Sequence, residues 1–123
     1  MLNKIFKIQL LGTLLLTILL VFSSCKKEAD TLAVIIVKNS YGQAIEDALV
    51  TLDQEGTSVQ NNNLAELKQE EFTDENGRAE FTYKLEAILN VTVIKQDDNN
   101  ILTGSNVIRL LRGKTVSQTI EIN

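Results

Sequence analysis

The sequence has no histidine, no proline and no tryptophan, and it has one cysteine, Cys25. Without histidine, a Ser-His-Asp triad, a Cys-His pair and imidazole metal sites are excluded. With one cysteine, no internal disulfide can form. Aromatic residues are scarce: beyond residue 24 only Tyr41, Phe72, Phe81 and Tyr83 remain. That is too few for a stacking array on nucleic acid. Basic residues are in the minority too, with 10 against 16 acidic side chains from Cys25 onward. No basic patch stands out in the sequence, which disfavours nucleic acid as a partner.

Charge is absent where it is most telling. The first 24 residues hold Lys4 and Lys7 and no acid. From Ile8 to Phe22 the chain is nearly all apolar, and Ser23 and Ser24 lead into Cys25. A positive start, an apolar middle and small residues at the cut mark a secretory signal. The uncharged run from Ile8 to Cys25 is 18 residues long, short of the ~20 that a bilayer span needs. We expect a signal peptide over 1–24, cleaved between Ser24 and Cys25, then a tether over 25–31 and one domain over 32–123. An uncleaved membrane anchor is the competing reading, and both place the domain outside the cytoplasm.

Phe22-Ser23-Ser24-Cys25 resembles the lipobox of bacterial lipoproteins, with Phe where Leu is usual. The resemblance implies diacylglycerol on the Cys25 sulfur, cleavage before it, and an acyl chain such as palmitate on the new amine. The membrane is then a partner through that lipid. A thioether would also remove the oxidation liability of a lone exported thiol. Cys25-Lys26-Lys27-Glu28-Ala29-Asp30 resembles the charged surface-export stretch of Bacteroidota-type lipoproteins. That implies an outer-membrane location on the cell surface; as a plain solvated tether, the same stretch suits the periplasmic face. Asp30-Thr31-Leu32 resembles the short O-glycosylation motif of that group, with Thr31 as acceptor. Thr31 equally suits the first position of a strand.

Beyond the tether the chain reads as strands and turns. Leu32–Val37 is a short apolar run rich in β-branched residues, which favours a buried strand. Asn39-Ser40-Tyr41-Gly42 is turn chemistry. Over 48–53, Ala48, Val50 and Leu52 share one face, the period-two signature of a half-buried strand. Asp74-Glu75-Asn76-Gly77 is the clearest turn, because Asn-Gly accepts positive φ. It joins a strand over 70–73 to one over 78–84, where Ala79, Phe81 and Tyr83 point one way. Further strands are expected over 89–95, over 101–111 (single, or broken near Gly104) and over 116–122. The stretch 60–69 is expected to be an inserted loop. Seven strands at this spacing indicate an all-β, antiparallel sandwich.

The segment from Asn39 to Leu52, with its Gly42 turn leading into Ala48-Leu49-Val50-Thr51-Leu52, resembles the opening of carboxypeptidase regulatory-like domains. Thr73-Asp74-Glu75-Asn76-Gly77-Arg78-Ala79-Glu80-Phe81 resembles their Thr-Asp-x-x-Gly-Arg-x-x-Phe hairpin, and Leu110 to Thr115 their closing hairpin. The resemblance covers nearly all of 32–123 and implies a transthyretin-like sandwich. Bacterial Ig-like domains of the invasin type carry similar hairpins and stay open as the alternative. Physically, Gly42 and Gly77 supply backbone angles that other residues resist. Ala48 suits a close approach of two sheets, and Phe81 suits the core between them.

No constellation points to chemistry. The oxygen-rich turns at 74–76 and 97–100 lack the spacing of a calcium loop, and scattered carboxylates such as Glu70 and Glu71 indicate no glycosidase cleft. We expect no catalytic residues, no metal and no cofactor. Tyr41 is the one aromatic placed to serve a sugar, and packing over its own turn is its plainer role. The expectation is a non-enzymatic, lipid-anchored binding, adhesion or spacer module with a protein or glycan partner. The alternative is an accessory glycan-binding subunit of a surface nutrient-uptake complex.

Overall fold

A computed structural model describes residues 2–21, 27, 29–54 and 67–123, with side chains omitted at Leu2 and over 19–21. Helix α1 spans Leu2–Val21. Its described side chains are all exposed. Within the described residues, no helix is long and apolar enough to cross a membrane. Cys25 and Ser24, and with them the expected cleavage and lipidation, lie outside the described residues. So does most of the expected loop over 60–69.

Seven strands follow: β1 (Thr31–Asn39), β2 (Leu49–Asp53), β3 (Gln69–Phe72), β4 (Arg78–Tyr83), β5 (Ala87–Asp97), β6 (Asn100–Leu110) and β7 (Thr115–Ile122). They form two sheets, ordered β4-β1-β7 and β3-β2-β5-β6. Alternation explains which faces meet. Ala33, Ile35 and Val37 of β1, Val50 and Leu52 of β2, and Leu89, Val91 and Val93 of β5 are all buried. Phe81 and Ala48 lie in the same core, at 1% and 0% exposure, so the core sits between the sheets where their spacing placed it. Burying each Leu, Ile, Val or Phe contributes about 1.5–3 kcal/mol. Among the described residues, all core members lie within 33–122. The sandwich therefore builds its core without the leader.

Two expectations are corrected and one open reading is decided. First, the sandwich is not wholly antiparallel: β1 and β7 run parallel, with Leu32 opposite Thr115 and Asn39 opposite Ile122. Alternation of side chains is the same in both kinds of ladder, so the pattern carries no strand direction.

Second, the two motifs expected as hairpins are corners between sheets. The turn at 74–77 closes as a hairpin does, with Gly77 N–H donating to Asp74 O and Asp74 N–H to Arg78 O, both at 2.9 Å. Yet β3 pairs with β2, while β4 pairs with β1. The turn 111–114 likewise passes from β6 in one sheet to β7 in the other. A tight hairpin within one sheet is β5–β6, with Asp97 opposite Asn100 and Asp98 at φ 45°.

Of the two readings left open for 101–111, the single strand holds: β6 is unbroken at Gly104. A Cβ at that position would lie 2.5 Å from the Glu121 carbonyl oxygen and 2.8 Å from the Ile120 side chain. Glycine here lets β6 approach β7 across the edge of the sandwich. Near it, Thr103 and Asn123 exchange backbone hydrogen bonds at 3.2 and 3.4 Å.

Candidate functional site

The broadest surface with chemistry of its own is the outer face of β3-β2-β5-β6. Since β2, β5 and β6 bury alternate residues, the others are turned to solvent. Register then sorts them into rows. Phe72 lies opposite Leu49, and Leu49 opposite Ile94. Ile94 lies opposite Thr103, with Ile101 one diagonal step away on the same face. Phe72, Ile94 and Ile101 are 61%, 44% and 65% exposed, and Leu49 is half-buried. Facing and diagonal cross-strand side chains are close enough to touch, so these four form an apolar band toward the β5–β6 turn.

The next row is polar. Glu70, Thr51, Thr92 and Ser105 lie opposite one another in turn, and the Thr51 hydroxyl donates to Glu70 Oε1 at 3.4 Å. Beyond it come Asp53, Asn90 and Val107. Asp53, Asn90, Thr92, Ser105 and Val107 help line a shallow depression of about 380 Å³. The face thus places an apolar band beside hydroxyl, amide and carboxylate groups. That combination suits contact with another surface.

A second hollow, about 330 Å³, lies where the strand edges of β3 and β4 meet and is lined by Leu67, Gln69, Thr82, Tyr83, Lys84 and Leu85. Its polar groups bind the two sheets to each other. Tyr83 donates its hydroxyl to Leu67 O, and Gln69 Nε2 donates to Thr82 O, both at 3.0 Å. Burial, and then the nearby Asp53 charge, push the Tyr83 hydroxyl up to about 12. It stays protonated and serves as a donor.

The residues singled out in the sequence lie apart from one another. Gly42, at φ 78°, closes the turn after β1, where its N–H donates to Asn39 O at 2.9 Å. Gly77, at φ 71°, packs so closely that a Cβ would sit 2.5 Å from the Val37 carbonyl oxygen. Thr31 opens β1. Its side chain is 2% exposed, and its hydroxyl accepts the Gly113 N–H at 2.9 Å. An O-glycan on Thr31 would have to displace that bond. Tyr41 does not pack over its turn: it is 88% exposed, because Asn39 Oδ1 completes the turn by accepting the N–H groups of Tyr41 and Gln43. Asp74 plays the same part in its own turn, accepting from Asn76 N–H at 2.9 Å and Arg78 N–H at 3.0 Å. Among the described residues, no three metal-ligating side chains gather into one group.

Alternation marked which residues of β2 face outward. It carried no signal for the band, which needs β3, β2, β5 and β6 as neighbours in one register. Thr73 was missed as well. It was read as part of a turn motif, and only the fold shows it buried.

No family model matches the chain, and no curated protein matches it either. Among solved structures, it is similar to a Pseudomonas aeruginosa protein whose suggested role is carbohydrate binding. The two are 12% identical, the alignment covers 81% of this chain and 93% of that one, and the TM-score is 0.49.

Proposed function

We propose that this protein is a lipid-anchored, extracytoplasmic β-sandwich without enzymatic activity, which works by contact with a protein partner through the outer face of its four-stranded sheet. The observation that carries the contact surface is the exposed band of Phe72, Leu49, Ile94 and Ile101, running beside the polar row of Glu70, Thr51, Thr92 and Ser105. An apolar centre with a hydrogen-bonding margin is how protein interfaces are built, and contiguous exposed apolar groups mark interaction sites.

The anchor rests on the sequence: Lys4 and Lys7, the apolar run, and Phe22-Ser23-Ser24-Cys25. The self-contained core of 33–122 is compatible with loss of the leader. The sheet order supports the carboxypeptidase regulatory-like resemblance, with its transthyretin-like sandwich, over the Ig-like one. Constant-type Ig domains place their first strand in a sheet with the second, fifth and fourth. Here the first strand lies between the fourth and seventh. The location that follows is the outer membrane, and proteinase treatment of intact cells separates surface display from the periplasmic face.

The anchor is tested by Cys25→Ala with labelled palmitate, where label and membrane retention should both be lost. The contact face is tested with a photo-crosslinking residue at Ile94, which should capture a protein on intact cells, while one at Thr82 on the other sheet should not. Equal capture at both positions would remove the assignment of this face.

A second reading has its own observation. Thr51, Thr92, Ser105 and Asn90 bring hydroxyl and amide groups together on one face, and such groups can bond the hydroxyls of a glycan. Calorimetric titration with a glycan panel decides it: absence of heat across the panel leaves the protein partner.

A further inference from the structure

We propose that the end of the sandwich where the chain enters β1 rests on an anionic phospholipid surface, that of the membrane holding the Cys25 lipid, through Lys84, Arg112 and Lys114 set around Leu85 and Leu111. This rests on the anchored reading above and adds an orientation to it.

Three elements converge at this end. Thr31, the first residue of β1, lies opposite Tyr83, the last of β4. Leu32 N–H donates to Lys114 O at 3.0 Å. A Cβ on Gly113 would lie 3.4 Å from the carbonyl oxygen of tether residue Ala29. The turns 84–86 and 111–114 are therefore beside the tether. Lys84, Arg112 and Lys114 are exposed, as are Leu85 at 57% and Leu111 at 38%. Arg109 is exposed nearby, opposite Ile88. The described acids here are Asp30, Asp53 and Glu86, one fewer than the cations Lys84, Arg109, Arg112 and Lys114.

The opposite end has the other sign. There the turns carry the acidic pairs Glu46 with Asp47, Asp74 with Glu75, and Asp97 with Asp98, all exposed. An anionic surface therefore attracts one end of the domain and repels the other.

Reach makes the orientation matter. From Cys25 to Thr31 the chain extends at most about 20 Å, less than the ~35 Å length of an eleven-residue strand. A lipid on Cys25 thus holds the basic end near the headgroups. Each Lys or Arg near such a surface contributes enough that three together favour it on the order of 100-fold over a neutral one. Exposed leucines beside them can enter the interface.

The test has two arms. In the first, the full lipidated chain is placed in phosphatidylcholine vesicles with and without phosphatidylglycerol, and amide exchange is followed. Exchange at Leu85, Glu86 and Arg112 should slow when phosphatidylglycerol is present. The triple variant K84E/R112E/K114E should lose that slowing while staying in the vesicles. In the second, the chain from Lys27 onward, which contains every described core residue, is sedimented with each vesicle type. Wild type should prefer phosphatidylglycerol on the order of 100-fold in low salt, and the variant should not. Equal exchange in both vesicle types, or slowing at the acidic end, would overturn the proposal. Failure of the anchor shows separately as absent palmitate labelling, and the second arm does not depend on it.

Discussion

Thr73 donates its hydroxyl to the Ile45 carbonyl at 2.6 Å, and the same oxygen accepts the Ala48 N–H at 2.9 Å. The side chain is 4% exposed, and its backbone adds two more bonds, from Asp47 N–H to Thr73 O and from Thr73 N–H to Ala48 O. One residue thereby fixes the entry to β2, where Asp47 is held at φ 58°. Thr73→Val keeps the shape and leaves the buried Ala48 N–H without its acceptor. We expect a loss of about 1–3 kcal/mol in urea unfolding, and a much smaller loss for Thr73→Ser.

Gly77 and Gly104 are needed for different reasons, and alanine should tell them apart. Gly77→Ala meets both a positive φ and the Val37 carbonyl oxygen, and should cost about 1–3 kcal/mol or more. Gly104→Ala meets no unfavourable φ but drives β6 away from Glu121. Amide exchange should quicken at Thr103 and Asn123 in Gly104→Ala, while the Gly77 turn keeps its protection.

Tyr83 makes stability pH-dependent on the alkaline side. Its folded value is raised to about 12 by burial and by Asp53, against about 10 in the unfolded chain. The fold therefore favours the protonated form. This contribution is fully present below about pH 10 and is lost as pH rises through about 12. In Y41F, which leaves Tyr83 as the one tyrosine, tyrosinate absorbance should appear near pH 12 in the native protein and near pH 10 in urea. Tyr83→Phe should flatten the loss of stability between those values, and it should lower stability at neutral pH because Leu67 O loses its donor.

The contact face separates from the core by substitution. Ile94 points outward and is 44% exposed, so Ile94→Asp should change unfolding stability by less than about 1 kcal/mol. It should abolish partner capture on cells. Val93→Asp, one residue along and fully buried, should instead unfold the domain, since an unpaired buried charge costs several kcal/mol. Loss of capture in both variants with unchanged folding in the first is the expected outcome.

Local physics made much of this legible. The β-branched run of β1, the alternation in β2 and β4, and the Asn76-Gly77 turn each set their own element, because side-chain period and backbone angle are properties of neighbouring residues. The apolar leader and its lone cysteine are equally plain in the sequence, which by itself determined seven strands and the identity of most of the core. What it left open was adjacency. A strand alternates in the same way whichever neighbour it has and whichever way that neighbour runs, so the parallel partnership of β1 and β7 was invisible. So was the separation of β3 from β4 at a turn that reads as a hairpin. Whether Gly104 broke its strand stayed open in the sequence, because the reason for a glycine there, the carbonyl of Glu121, is 17 residues away in the chain. The band of Phe72, Leu49, Ile94 and Ile101 draws on four strands, and the basic end draws on two turns and the tether. Only the tertiary structure decided these, because long-range pairing is chosen by the packing of the whole core and not by any segment within it.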